Sequence, residues 1–210
     1  MRVLIAIPTF ENITPDTFKA IWDLDKLGLE CDFEFVRGYD CATARNRIAQ
    51  KAIDGGYDYV LMVDNDVTPR PDALKSLISR NVQVVSGYYL HRNDDNEPSD
   101  RTCVCRLRDE DGKLYFNYPL ESEYTVEELN GFNSIVRIHG GGMGCILINV
   151  DVFREIPYPW FDWVNYADGN RGMLSEDLFF CERLKNAGIP MYVDPKAHCG
   201  HLFRKIVDAV

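Results

Sequence analysis

Tyr57-Asp58-Tyr59-Val60-Leu61-Met62-Val63-Asp64-Asn65-Asp66 is the stretch on which the fold turns. Its apolar run predicts a buried strand over 57–63. The two carboxylates at its end, followed by the turn-forming Thr68-Pro69-Arg70-Pro71, predict an acidic loop. Carboxylates at i and i+2 converge on one cation only where the chain leaves regular β geometry, and the turn supplies that departure. A hard cation held by two carboxylates keeps positions open for phosphate oxygens. A loop with two solvated aspartates is the plain alternative.

Upstream, Val3-Leu4-Ile5-Ala6-Ile7 reads as a strand buried on both faces that ends in Pro8-Thr9. Thr14-Pro15-Asp16 then supplies an N-cap, a first-position proline and an acidic first turn for a helix with Phe18, Ile21 and Trp22 as its apolar stripe. A strand over 32–36 follows, then a helix bearing Ala44, Ile48, Ala49 and Ala52 that closes at Gly55-Gly56. Beyond the acidic loop come a helix over 71–79 and a strand over 82–86. This alternation predicts an α/β fold with a mostly parallel central sheet and helices on both faces. Ligands of such sheets bind at the carboxyl ends of the strands, where Pro8-Thr9 and Asp64-Asn65-Asp66 both fall.

From Tyr88 to about 133 the sequence turns polar, with a hairpin expected around Glu110-Asp111-Gly112 and a capping box formed by Thr125 and Glu128. It reads as an insertion over the carboxyl edge of the sheet that carries substrate contacts, or as an excursion with no role of its own. Ile135 to Ile138 and Cys145 to Val150 restore strand patterns. The predicted organisation is one domain over 1–210, with the insertion (88–134) between the segments 1–87 and 135–210.

A formal net charge of -10 repels polyanions and speaks against general nucleic-acid binding. Seven cysteines, an odd and scattered count, point to a reducing compartment and a cytoplasmic location. No stretch of about 18 apolar residues offers a membrane span, so no membrane partner is expected.

Ser175 is an N-cap before Glu176 and Asp177, which open an amphipathic helix through Leu178, Phe179, Cys181, Leu184 and Ala187. Two acids in a first turn suit the helix dipole without any further role, and beside the acidic loop at 64–66 they also read as a second acidic site. His198-Cys199-Gly200-His201 follows a strand predicted over 191–194 and offers a nitrogen donor. Imidazole joined to carboxylates favours Mn2+ over Mg2+. A zinc site from Cys103, Cys105, Cys199 and one histidine is the rival, set against spacings that differ from common zinc motifs. Gly140-Gly141-Gly142 admits close approach of a substrate to the backbone, or is a plain turn. Trp160, Phe161, Trp163 and Tyr166 either stack on a sugar or pack the core.

Taken in order, Ile7-Pro8-Thr9, Ala44-Arg45-Asn46, Val63-Asp64-Asn65-Asp66, Gly140-Gly141-Gly142 and Ser175-Glu176-Asp177 resemble the GT-A glycosyltransferases, close to the family-2-like members. Gly200-His201-Leu202-Phe203-Arg204 is similar to the segment of polypeptide N-acetylgalactosaminyltransferases that gives a ligand histidine and a diphosphate-binding arginine. The resemblance implies transfer of a sugar from a UDP- or GDP-linked donor to an acceptor hydroxyl, the acceptor being a glycan, small molecule, protein or modified base. It implies Asp64, Asp66 and His201 as ligands of Mn2+, with Mg2+ as the other ion. Pro8, Thr9, Arg45, Asp64, Asn65, Gly141, Gly142 and Arg204 would surround the nucleotide sugar. Asp177, or in second place Glu176, would be the general base of an inverting reaction. With no lectin domain after Arg204, protein O-glycosylation is not implied. The alternatives are a nucleotidyltransferase on the same fold, a haloacid-dehalogenase-like phosphatase using Asp64, and a non-catalytic nucleotide-binding module.

Overall fold

The computed structural model describes residues 1–10, 12–92, 98–106, 123–165 and 173–203. The chain alternates through β1 (Arg2–Thr9), α1 (Pro15–Trp22), β2 (Glu30–Arg37), α2 (Cys41–Asp54), β3 (Tyr59–Val63), β4 (Val67–Pro69), α3 (Ala73–Ser79) and β5 (Val84–Tyr88). It continues through β6 (Leu90–Arg92), β7 (Pro98–Cys105), β8 (Glu123–Thr125), α4 (Val126–Asn130), β9 (Val136–Ile138), β10 (Gly140–Gly141) and β11 (Cys145–Asn149). Last come α5 (Val152–Glu155), β12 (Val164–Asn165), β13 (Met173–Leu174), α6 (Glu176–Asn186) and β14 (Met191–His201).

The central sheet has the order β2-β1-β3-β11-β5-β14-β4, with β9 also paired to β14. Strands β1, β2, β3, β5 and β14 run one way, and β11, β9 and β4 run the other. The sheet is therefore mostly parallel, as the alternation predicts, with one reversal inside it. β11 enters antiparallel between β3 and β5. Val3 to Ile7 and Val60 to Val63 are buried on both faces, which explains their continuous apolar runs. Ala42, Ala44, Ile48, Ala49 and Ala52 seat α2 on the core, and Asp40 caps it by accepting from the Thr43 amide at 3.0 Å.

Two sequence expectations are corrected. The stripe expected on α1 is only partly apolar to the core: Ile21 is buried, but Phe18 and Trp22 are exposed and stack on each other with centroids 6.3 Å apart. The strand expected over 191–194 continues to His201 as β14. Its middle is fixed by Asp194, fully buried, which accepts from Arg80 Nε and Nη2 at 2.8 Å each and from Ser76 at 2.5 Å. That clamp ties α3 to β14. The polar region forms a second sheet of order β10-β7-β6 with β8 on β7, and Thr125 and Glu128 make the predicted capping box at α4. The hairpin expected at Glu110-Asp111-Gly112 lies outside the described residues.

Candidate active site

The chain turns sharply after β3. The Asp64 amide donates to the Gly144 carbonyl at 3.0 Å, and the Val67 amide returns to the Asp64 carbonyl at 3.2 Å. This turn delivers Val67, Thr68 and Pro69 as β4, which pairs antiparallel with the far end of β14: His201 lies opposite Val67, Gly200 opposite Thr68 and Cys199 opposite Pro69. The Leu202 amide donates to the Asp66 carbonyl at 2.9 Å. That pairing carries a histidine from the end of the chain to the acidic loop, and no feature of the sequence signals β4.

His201 Nε2 stands 3.6 Å from Asp66 Oδ2, and Nδ1 is 2.8 Å from the Leu90 carbonyl. A carbonyl only accepts, so Nδ1 carries the proton and Nε2 presents a lone pair towards Asp66 in the neutral ring. Metal-binding histidines are oriented in this way by a backbone carbonyl on the second nitrogen. Tyr89 packs edge-on against the ring at 5.0 Å. His198, three residues back along the strand, faces the other side, with Nε2 3.2 Å from Arg70 Nη1 and the ring beside Tyr88.

Arg45 joins the two acidic motifs. Its side chain is 2% exposed; Nη2 donates to Asp64 Oδ1 at 2.7 Å and Nη1 to Glu176 Oε1, while Nε is buried without a partner. Burial pushes the Asp64 carboxyl up, Arg45 pulls it down, and Asp66 and Asp177 push it up again. Glu176 is likewise raised by burial against the pull of Arg45. Arg45 thus offers no exposed fork for a nucleotide in this structure; it neutralises and positions carboxylates from β3 and α6. Glu176, 8% exposed and committed to Arg45, is held away from solvent protons. Asp177 is half-buried, accepts from the Leu178 amide at 2.8 Å and from the Ser175 hydroxyl, and contributes to the field at Asp64. Ser175 therefore spends its hydroxyl on Asp177 instead of capping the helix amides.

The remaining sequence candidates have other neighbours. Pro8 and Thr9 close β1 as buried residues, and Asn65 Nδ2 reaches Thr9 Oγ1 at 3.3 Å and the Asn12 carbonyl at 2.8 Å. Asn65 braces the acidic loop against the loop after β1. Gly141 and Gly142 serve protein packing: a Cβ on Gly142 would stand 2.3 Å from Tyr89 Oη, and one on Gly141 would stand 3.1 Å from Val104. The Tyr89 hydroxyl accepts from the Gly144 amide at 3.2 Å, so it supports the same residue whose carbonyl holds Asp64. Trp160 and Phe161 are core residues clamped by Asn46, whose Oδ1 accepts from both amides; Trp163 is exposed. Tyr166 and Arg204 lie outside the described residues.

Among the described residues, no group of three or more His, Cys, Asp and Glu side chains is arranged to hold a metal ion. The zinc expectation is thereby corrected. The zinc reading fails because Cys103, Cys105, Cys199 and the histidines do not gather into one ligand group. Beside Asp66 and His201, Asp64 turns one oxygen to Arg45 and keeps the other outside that pair. His201 Nε2 and Asp66 Oδ2, 3.6 Å apart, stand just beyond the about 3.0–3.5 Å between ligands on one ion with bonds of roughly 2.1 Å, so a small approach would let the two act as donors.

No family model matches the chain, and no curated protein matches it. Among solved structures, A197 from STIV aligns with a TM-score of 0.59 and 17% identity, covering 96% of this chain and 86% of that one. The crystal structure of GalNAc-T7 with UDP, GalNAc and Mn2+ aligns with a TM-score of 0.58 and 13% identity. The alignment covers 96% of this chain but 44% of GalNAc-T7, so the chain spans less than half of that neighbour. At such identities the likeness establishes architecture, and the architecture is a GT-A-like α/β fold.

Proposed function

We propose that the chain is a metal-dependent glycosyltransferase, moving a sugar from a UDP- or GDP-linked donor to an acceptor hydroxyl. The observation that carries this reading is the His201–Asp66 pair at the end of β3, with Nε2 turned to the carboxylate by the Leu90 carbonyl, on a fold shared with a transferase solved with UDP and Mn2+. Asp66 and His201 would hold the ion, with the Asp64 oxygen that Arg45 does not use as a third donor. Two or three protein donors suffice where substrate phosphates complete the shell. Bound there, Mn2+ or Mg2+ would stabilise charge on the departing diphosphate.

The chain's own residues divide the remaining work. Arg45 supplies the counter-charge to Asp64 and Glu176 and holds both carboxylates in place. Asn65 and Thr9 fix the donor side of the cleft through the loop after β1. Asp177 is the carboxylate able to take a proton from an acceptor hydroxyl, because it is half-buried and outside the Arg45 pairing. The one-domain organisation, with 88–134 as an acceptor-contacting insertion, belongs to this reading.

Incubation with UDP- and GDP-linked sugars, with Mn2+ or with EDTA, tests it by release of nucleoside diphosphate. Metal-dependent release supports a glycosyltransferase. Pyrophosphate from a nucleoside triphosphate would instead identify a nucleotidyltransferase, and aryl phosphate hydrolysis a phosphatase.

A further inference from the structure

Four aromatic side chains that the proposed chemistry leaves unused share one face of the molecule. Phe18 and Trp22, one turn apart on α1, stack with centroids 6.3 Å apart and stay 48% and 68% exposed. Phe33 and Phe35, at alternate positions of β2, point to one side of the sheet and are 39% and 42% exposed. Lys26 joins the two pairs: its Nζ lies 5.6 Å from the Phe33 ring centroid and donates to the Trp22 carbonyl at 2.8 Å. Isolated surface aromatics are ordinary, but a contiguous patch of them marks an interaction site.

The opposite side of β2 carries Glu30, Asp32 and Glu34, which pair with Arg2 and Lys51. Such a charged row guards the strand's edge against pairing. The aromatic face differs in charge. At its margin Lys19 pairs with Asp23 and Lys75 with Asp25, while Lys26 and Arg37 add positive charge. This face is therefore free of the acid excess that gives the chain its net charge of -10. Two copies meeting on the acidic remainder of the surface repel each other, and copies meeting here do not. Because Lys19 and Lys75 are paired within the chain, the face also lacks the cation cluster that draws proteins to anionic lipid.

The same face carries a protruding indole and a seat for one. Phe33 and Phe35 form a floor bordered by Lys26 and Arg37, a setting that takes an aromatic ring by stacking and by cation–π contact. Trp22 is the exposed ring beside it. We propose that a second copy of the chain covers this face, in a two-fold dimer in which Trp22 of each copy seats on Phe33 and Phe35 of the other. A two-fold contact requires such self-complementarity, since the patch meets itself. At about 200 Å² per aromatic side chain, the four exposures leave roughly 400 Å² per copy, or about 800 Å² in a dimer. Leu27, next to Lys26 and 41% exposed, and the lysine stems bring the total towards the roughly 1,200 Å² at which stable interfaces begin.

Sedimentation velocity and hydrogen exchange test this without nucleotide or metal, so the dimer stands or falls apart from the glycosyltransferase reading. Over about 1–200 µM protein, wild type is expected to pass from the mass of one chain to that of two, with a dissociation constant below about 50 µM. Trp22→Glu is expected to weaken association at least about thirty-fold, as loss of an anchor residue does. Phe33→Thr, which keeps strand propensity, is expected to weaken it several-fold, with thermal melts confirming that both variants fold. In wild type, exchange is expected to slow within 18–27 and 33–37 as concentration rises. A monomer throughout that range, a dimer indifferent to both substitutions, or protection confined to other segments overturns the proposal. A monomer that binds vesicles of phosphatidylcholine and phosphatidylglycerol, and loses them with Trp22→Glu, would give the face to a bilayer and also overturn it.

Discussion

Replacing Arg45 by methionine, close in length and without charge, is the sharpest probe of how the two acidic motifs are joined. The wild-type guanidinium is 2% exposed between Glu176, 8% exposed, and Asp64, 28% exposed. Removing one partner of a buried pair leaves an uncompensated charge and costs about 3–5 kcal/mol. The loss must depend on pH, because burial already raises Glu176 and only Arg45 opposes it strongly. Without Arg45 the folded-state pKa of Glu176 stands well above its unfolded value, so the folded variant keeps the proton. A raised carboxyl favours the folded state at low pH, and that advantage is lost as pH rises from the unfolded value to the folded one. The deficit against wild type is therefore small at pH 4.5 and large at pH 7.5. Urea unfolding of both proteins at the two pH values measures it. Arg45→Met combined with Glu176→Gln should recover most of the loss at pH 7.5, since a neutral amide needs no counter-charge. A deficit under about 1 kcal/mol, or one equal at both pH values, refutes the reasoning.

Arg80→Ala should destabilise by about 3–5 kcal/mol, because Asp194 is fully buried with Arg80 on both oxygens. Although burial alone would raise it, Asp194 is held below its ordinary value by Arg80 and Ser76. Its wild-type contribution is thus present above pH 3.8 and fades as pH falls further, a limb that the variant's stability profile should lack. Gly142→Ala should cost about 1–3 kcal/mol through overlap with Tyr89, and Tyr89→Phe in the same chain should relieve part of it, since the clash is with Oη at 2.3 Å. A double variant as unstable as the sum of the singles would show that Gly142 answers to something else.

The fold was legible where burial on both faces writes an uninterrupted apolar run, as in Val3 to Ile7 and Val60 to Val63, and where caps are local, as at Thr14 and Thr125. It was illegible where long-range pairing decides. The reversed β11 reads like any buried strand, and β4 is three residues whose meaning comes only from β14. The site shows the same division. The acidic loop and Ser175-Glu176-Asp177 announce themselves by residue type, but their bridge through Arg45 joins residues 131 apart and leaves no periodic trace. Gly142 and Asn65 carried ambiguous signals: a glycine for ligand approach and a glycine for a tyrosine look alike in one sequence, as do a ligand amide and a bracing one. The exposed Phe18 and Trp22 follow helical spacing without lying on the buried face, so periodicity alone placed them wrongly.

Titration calorimetry of Mn2+ with UDP and with GDP, on wild type and on Asp66→Ala, His201→Ala and His198→Ala, tests the central claim most directly. The account predicts metal-dependent nucleotide binding in wild type and in His198→Ala, whose side chain faces away beside Arg70, and its loss by about ten-fold or more in the other two. Wild-type affinity in Asp66→Ala or His201→Ala, or nucleotide binding indifferent to Mn2+, would contradict it.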